Sequence, residues 1–238
     1  MKKIGILILL LTMGLFSMAQ KQINDANAQK RNLNGFHGID VGSGIDLVLT
    51  QDNTEAVAVS ASEQKYTDKI ITEVKNGILH LYFDHSSPKS WFGADKKLRA
   101  YVSIKSIDLL HASSGAQVRV EGTVKAGKID MEVSSGAGIK GSFDVQSLDV
   151  DQSSGSIARI NGKAEELKVE GSSGSIFDGY DFVTSNCNAE SSSGSIVRVT
   201  VNKELSVHAS SGGKITYKGT GMIRNVHTSS GGNVSRKS

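Results

Sequence analysis

Ser172-Ser173-Gly174 is one of seven copies of the same tripeptide, and the spacing of those copies decides the fold. The others are Ser113-Ser114-Gly115, Ser134-Ser135-Gly136, Ser153-Ser154-Gly155, Ser192-Ser193-Gly194, Ser210-Ser211-Gly212 and Ser229-Ser230-Gly231. Successive glycines are 21, 19, 19, 20, 18 and 19 residues apart. A period near twenty, held through the second half of the chain, is the mark of stacked repeats.

Aligned on the glycine, the copies form columns. Five residues before it stand Leu110, Met131, Val150, Val169, Ala189, Val207 and Val226, all apolar. Seven before it the five middle copies carry Ile129, Leu148, Leu167, Cys187 and Leu205. Three after it stand Val118, Ile139, Ala158, Phe177, Val197, Ile215 and Val234. Five after it the positions are apolar or glycine. Each repeat therefore holds two short strands of period two, one on each side of the Ser-Ser-Gly corner. Like positions stack on like positions at the strand spacing of about 4.8 Å. The fold class is all-β: a parallel β-helix or β-solenoid of about seven coils. At the corner, glycine takes a backbone conformation that other residues resist, and small serines let neighbouring coils approach.

Working back toward the N-terminus, Leu98 to Ile104 reads as a strand, and Ser86 to Asp95 as a loop whose adjacent Trp91 and Phe92 either fold over a core edge, the commoner case, or form a docking point. Asn76-Gly77 between Ile71–Val74 and Ile78–Phe83 is a strong hairpin signal, because both residues tolerate positive φ. Residues 62–70 have helical propensity for about two turns. Val57 and Val59 begin a strand. Phe36, Ile39, Val41, Ile45, Leu47 and Leu49 alternate, broken at Gly42-Ser43-Gly44. Residues 20–32 are polar and aperiodic and read as a flexible lead-in. Lys2 and Lys3, the apolar run Ile4 to Phe16 and the small-x-small site Ser17-Met18-Ala19 read as a signal peptide over residues 1–19, too short to span a membrane comfortably. The expected division is a signal peptide (1–19), a lead-in (20–32) and one solenoid domain (33–238). That domain comprises a strand-rich part (33–107) and the repeat coils (108–238).

Lys and Arg number 27 against 24 Asp and Glu, and loss of Lys2 and Lys3 leaves the chain nearly balanced. That excludes the basic footprint of a nucleic-acid binder. The single Cys187 cannot form an internal disulfide and falls in a column of Ile and Leu, where it reads as a buried small hydrophobe.

Two outward columns are charged. Four before the glycine stand His111, Glu132, Asp151, Glu170, Glu190, His208 and His227. Four after it stand Arg119, Lys140, Arg159, Asp178, Arg198, Thr216 and Ser235. Outward strand positions are commonly polar for solubility. The functional alternative is a striped surface for a repetitive polar ligand, a divalent cation or another chain. Its candidate residues are Glu132, Asp151, Glu170 and Glu190 with Arg119, Lys140, Arg159 and Arg198.

Catalytic signatures are weak. The turns carry serine where a calcium-binding β-roll needs carboxylates. One Cys and six His do not supply zinc spacing. No G-x-S-x-G elbow occurs, and Ser62-Glu63-Gln64-Lys65 is an isolated S-x-x-K match. Paired carboxylates such as Glu132, Asp151, Glu170 and Glu190 could serve a carbohydrate-active β-helix enzyme. That alternative requires a walled cleft, and the coils carry no long insertions and few aromatics.

The segment Phe36-x-x-Ile39-x-Val41-x-x-Gly44-Ile45-x-Leu47-x-Leu49-x-Gln51, then Asn76-Gly77-Ile78-Leu79, then the Ser-Gly repeats, resembles the putative autotransporter adhesin, head GIN domain family. The resemblance spans roughly residues 33–235. It implies an exported, all-β solenoid of a Gram-negative cell envelope and carries no catalytic signature. The expectation is an exported cell-envelope protein, periplasmic, on the outer-membrane surface or secreted, that binds rather than catalyses. A carbohydrate-active enzyme and a structural spacer are the rivals. No catalytic residue, metal or cofactor is expected, and no nucleic acid and no membrane span after signal removal. The expected partner is a glycan or an envelope protein, with a homo-oligomer through the open C-terminal coil.

Overall fold

A computed structural model describes residue 25 and residues 27–86 and 95–237; the expected signal peptide and the Trp91-Phe92 pair lie outside the described residues. Five long strands build the body: β9 (Gln117–Val133), β10 (Gly138–Gln152), β11 (Ile157–Gly171), β12 (Ile176–Ser191) and β13 (Ile196–Ala209). Each pairs in parallel with the next along most of its length. Two shorter coils follow, β14 (Lys214–Lys218) with β15 (Met222–Thr228), then β16 (Asn233–Arg236). The fold is the parallel β-solenoid expected from the columns.

The unequal repeat lengths are absorbed away from the corner. The 21-residue repeat meets the 19-residue one through a register shift between Lys140 and Ser142, and the 20-residue repeat through one between Arg159 and Asn161. Bulges at mid-coil keep the corners aligned.

Each corner is a tight turn in which the glycine and also the serine before it have positive φ. The serines Ser114, Ser135, Ser154, Ser173, Ser193, Ser211 and Ser230 lie between 47° and 53°, and their glycines between 69° and 77°. The residue after each glycine donates its N–H to the first serine's carbonyl at 2.7–3.1 Å. This is the two-residue turn that favours Asn-Gly. The glycine N–H bonds the middle serine's carbonyl in the following coil at 3.0–3.1 Å, which stitches corner to corner. Serine in the left-handed region is strained. Ser173→Asn is therefore expected to raise stability by roughly 0.5–1 kcal/mol, read as a higher Tm.

The corner stack has an eighth member. Ser43 (φ 57°) and Gly44 (φ 68°) repeat the geometry, Ile45 N–H bonds the Gly42 carbonyl, and Gly44 N–H bonds the Ser114 carbonyl at 2.9 Å. Gly42-Ser43-Gly44, which the sequence presents as a break in one strand, is the corner of the first coil. Its strands β2 (Gly38–Val41) and β3 (Asp46–Gln51) pair in parallel with β8 (Leu109–Ala112) and β9.

Before that coil comes a cap. β6 (Ile78–Phe83) and β7 (Arg99–Ile104) continue the parallel ladders of β2 and β3. β5 (Ile70–Lys75) and β4 (Ala56–Ser60) then run antiparallel to them. The hairpin turn at Asn76 and Gly77 has the expected positive φ at both residues. The helical segment is shorter than expected, the single turn α1 (Gln64–Thr67), since the flanking residues join strands and turns. Part of the polar lead-in is ordered: β1 (Gln29–Arg31) pairs with β4, and the Asp25 carboxylate accepts hydrogen bonds from Ser60 Oγ at 2.6 Å and Tyr101 Oη at 2.8 Å. Backbone pairing needs no apolar periodicity, which is why the sequence hid it.

The cross-section is a wedge. Near the corner most buried residues are small: Ala112, Gly171, Ser191 and Ala209 on one side, where Val133 and Gln152 are the larger exceptions, and Ala116, Ala137, Ser156, Ser175 and Ser195 on the other. Farther out the wedge widens to hold Leu110, Ile129, Leu148, Phe143, Phe177 and Phe182. The hydroxyls that bond along the axis are the buried ones after the glycine. Ser156 Oγ donates to the Val133 carbonyl at 2.8 Å and Ser195 Oγ to the Gly171 carbonyl at 2.8 Å. Cys187 is buried in its apolar column, and burial pushes its thiol pKa up.

Candidate functional site

Alternation along each coil turns one set of side chains inward and the other outward. The strand entering each corner and the strand leaving it therefore form two flanks of the wedge, on either side of the Ser-Ser-Gly ridge.

On the entering flank, His111, Glu132, Asp151, Glu170, Glu190, His208 and His227 stand in unbroken register. The structure extends this ladder by two rungs, Asp40 beside His111 and His80 beside Asp40. His80 Nδ1 lies 3.0 Å from Asp40 Oδ2, and His111 Nδ1 lies 3.2 Å from Asp40 Oδ1. Across the ladder His111 Nε2 is 3.7 Å from Glu132. At the far end the rings of His208 and His227 meet edge to face at 4.8 Å. The sequence did hold a signal for Asp40: it stands four residues before Gly44, the offset of the whole column. His80 has no glycine four residues on, so nothing marked it.

The four carboxylates face solvent; the Glu132 side chain is 61% exposed. Beside them Asp130, Asp149 and Lys168 form a second outward column; Lys128 Nζ, from two residues before Asp130, bridges Asp130 and Asp149 at 2.9 Å each, and Lys168 Nζ reaches Glu170 at 2.6 Å. Burial, then the neighbouring Glu170 and Glu132 charges, hold the Asp151 pKa above the usual carboxylate range. Asp151 binds a proton more tightly folded than unfolded, so its contribution to stability falls as pH rises through its folded pKa. Asp151→Asn is accordingly expected to stabilise the protein at neutral pH by a few tenths of a kcal/mol, screened by solvent. The gain should vanish below about pH 4, in thermal melts across pH.

Two shallow depressions cross this flank. One, of about 300 Å³, is lined by Leu109, His111, Glu132, Asp149, Asp151 and Glu170. The other, of about 630 Å³, shares Asp149 and Lys168 with it and adds Asn186, Asn188, Glu204 and Asn225. The two adjoin at Asp149 and Lys168. Among the described residues no three His, Cys, Asp or Glu side chains converge as a metal site.

The leaving flank carries the basic column. Arg119, Lys140, Arg159, Asp178 and Arg198 follow one another in register. Arg119 lies 3.5 Å from Glu121, and Arg198 lies 3.5 Å from Asp178. The two sets of candidate residues are thus each brought into line, and are kept apart on opposite flanks.

The model of the family described as "Putative auto-transporter adhesin, head GIN domain" matches residues 35–221. The chain belongs to this family. The head GIN domain here also resembles solved structures across most of both chains. A putative adhesin from Bacteroides fragilis superposes with a TM-score of 0.81 at 15% identity, covering 88% of this chain and 96% of that one. A putative adhesin from Parabacteroides merdae gives 0.68 at 14%, covering 89% and 96%. A putative lipid binding protein from Parabacteroides distasonis gives 0.63 at 16%, covering 90% and 98%. At such identities the likeness is one of fold. No curated protein matches the chain in sequence. The family supports an adhesin-like head GIN domain. No helix among the described residues is long and apolar enough to cross a membrane.

Proposed function

We propose that this protein is an exported, adhesin-like component of a bacterial cell envelope that binds its ligand on the acidic flank and performs no chemistry there. One observation carries the reading: four carboxylates of successive coils, Glu132, Asp151, Glu170 and Glu190, stand in register on an exposed face. A carbohydrate-active enzyme needs its carboxylate pair in a cleft that shapes the substrate. These coils follow one another without a loop insertion to wall one, and a regular ladder offers the same group once per coil. That suits a repetitive ligand bearing amines or hydroxyls, a glycan or an envelope protein, and Asn186 and Asn188 in the adjoining depression add amide donors and acceptors. The family supports placement at the cell surface, and residues 1–19 supply the export signal.

The test is a glycan array and a pull-down from envelope fractions, with wild type and with an Asp151→Ala, Glu170→Ala variant. Wild type should retain a ligand that the variant loses, and raised salt should weaken retention because the site is exposed. Equal retention by both would remove the acidic flank from the reading. Retention by neither would favour a structural spacer. Mass spectrometry of the exported chain should find Gln20 at its N-terminus.

A further inference from the structure

The two ends of the solenoid differ. At the N-terminal end the edge strands are blunted: β1 is three polar residues, and β5 carries Glu73 and Lys75, paired at 2.8 Å. At the C-terminal end β15 pairs only with β13, and β16 only with β14, so one side of each is unpaired among the described residues. Asn233 and Lys237 donate their N–H groups inward to Gly213 and Tyr217, so by alternation those of Val234 and Arg236 point outward. The same end exposes Met222 (64%), Ile223 (41%) and Val226 (52%), whereas Leu205 and Val207, one coil earlier in register with Ile223 and Val226, are 0% and 3% exposed.

An open edge is usually defended by charge. Here every cation of residues 222–237 is turned back onto its own body. Arg224 pairs with Glu204, Arg236 Nη2 donates to the Gly219 carbonyl at 2.7 Å, and Lys237 Nζ sits 4.2 Å over the Tyr180 ring. Residues 222–237 contain no acid. Met222, Ile223 and Val226 therefore stand exposed among side chains whose charges are engaged within the same molecule.

We infer that this end is an interface with a second copy of the chain, joined end to end about a two-fold axis. The geometry is self-complementary. β15 runs toward the corner and β16 away from it, on the two sides of the wedge. A two-fold axis along the bisector of the corner sets β15 of one copy beside β16 of the other, antiparallel, and does so twice. It also superposes the two wedge cross-sections, so Ile223, Val226 and Val234 continue into a shared core. Two-fold pairing closes at the dimer, and the blunted N-terminal edges halt further growth.

Sedimentation velocity on the chain purified after export, across a range of concentrations, tests this. Wild type should form a dimer. Met222→Lys with Val226→Lys, both at exposed positions and so compatible with folding, should raise the dimer dissociation constant at least ~100-fold at unchanged Tm of the monomer. The Asp151→Ala, Glu170→Ala variant should dimerise as wild type does. A wild type that stays monomeric to ~1 mM overturns the inference. So does a dimer that survives the lysines, one lost with the acidic-flank variant, or growth beyond the dimer. None of these outcomes depends on whether the acidic flank holds a ligand.

Discussion

Phe143→Ala is expected to lower the unfolding free energy by ~3–5 kcal/mol. Phe143 is fully buried at the wide side of the wedge, where few side chains are large enough to replace it. Its register partner in the next coil is Gly162, which has no side chain to move into the space, and the partner after that is Phe182, itself fully buried. Two rings thus fill what three coils enclose. Removing one leaves a cavity that the parallel ladders on either side prevent from collapsing. In a solenoid each coil is stabilised mainly by its neighbours. The damage should therefore show first as faster amide exchange in the coils around β10, then as a lower midpoint in urea. A loss under ~1 kcal/mol would mean that the coils close up around the cavity.

Gly162→Ala should cost about as much, by a different route. Gly162 has φ of +117°, outside the range that alanine accepts, and a Cβ there would overlap the Phe143 carbonyl oxygen. That oxygen belongs to a strand paired on both sides, so neither partner can retreat. Backbone strain and the broken ladder together should cost ~3 kcal/mol or more. The corner glycine Gly155 supplies the control. It has φ of +69° but no atom within 4 Å of the place a Cβ would take, so Gly155→Ala should carry the conformational cost alone, about 1 kcal/mol. Urea unfolding of the two variants side by side checks the difference; equal losses would contradict the clash at Gly162.

The repeat half of the fold was legible because a solenoid writes its geometry into sequence at fixed intervals. The −5 and +3 columns of the middle coils are buried as their apolar pattern requires, down to Val169 and Ala158 at 0% exposure. The first coil was less legible. Gly42-Ser43-Gly44 lacks the first serine, and more than sixty residues separate it from the next corner, so no period connects them. Its place follows from two hydrogen bonds to the following coil, Gly44 to Ser114 and Ser113 to Val41. The left-handed serine at each corner was also hidden. Sequence marks glycine for positive φ, whereas serine takes it here because the ladder on both sides fixes the turn.

The candidate site divides in the same way. That the four acids and the four bases form separate columns is a property of the sequence, since period and alternation place each residue outward at a known height. That His80 and Asp40 complete the acidic ladder depends on the cap, which returns β6 beside β2 from forty residues away. The sequence by itself determined the coil, its corner, its core columns and its charged stripes, because each rests on contacts between positions one period apart. Only the tertiary structure decided how the solenoid is closed at one end and open at the other. Those ends are made by non-periodic pairings, antiparallel at β4 and β5 and absent beyond β15 and β16 among the described residues, which leave no repeating signal in the chain.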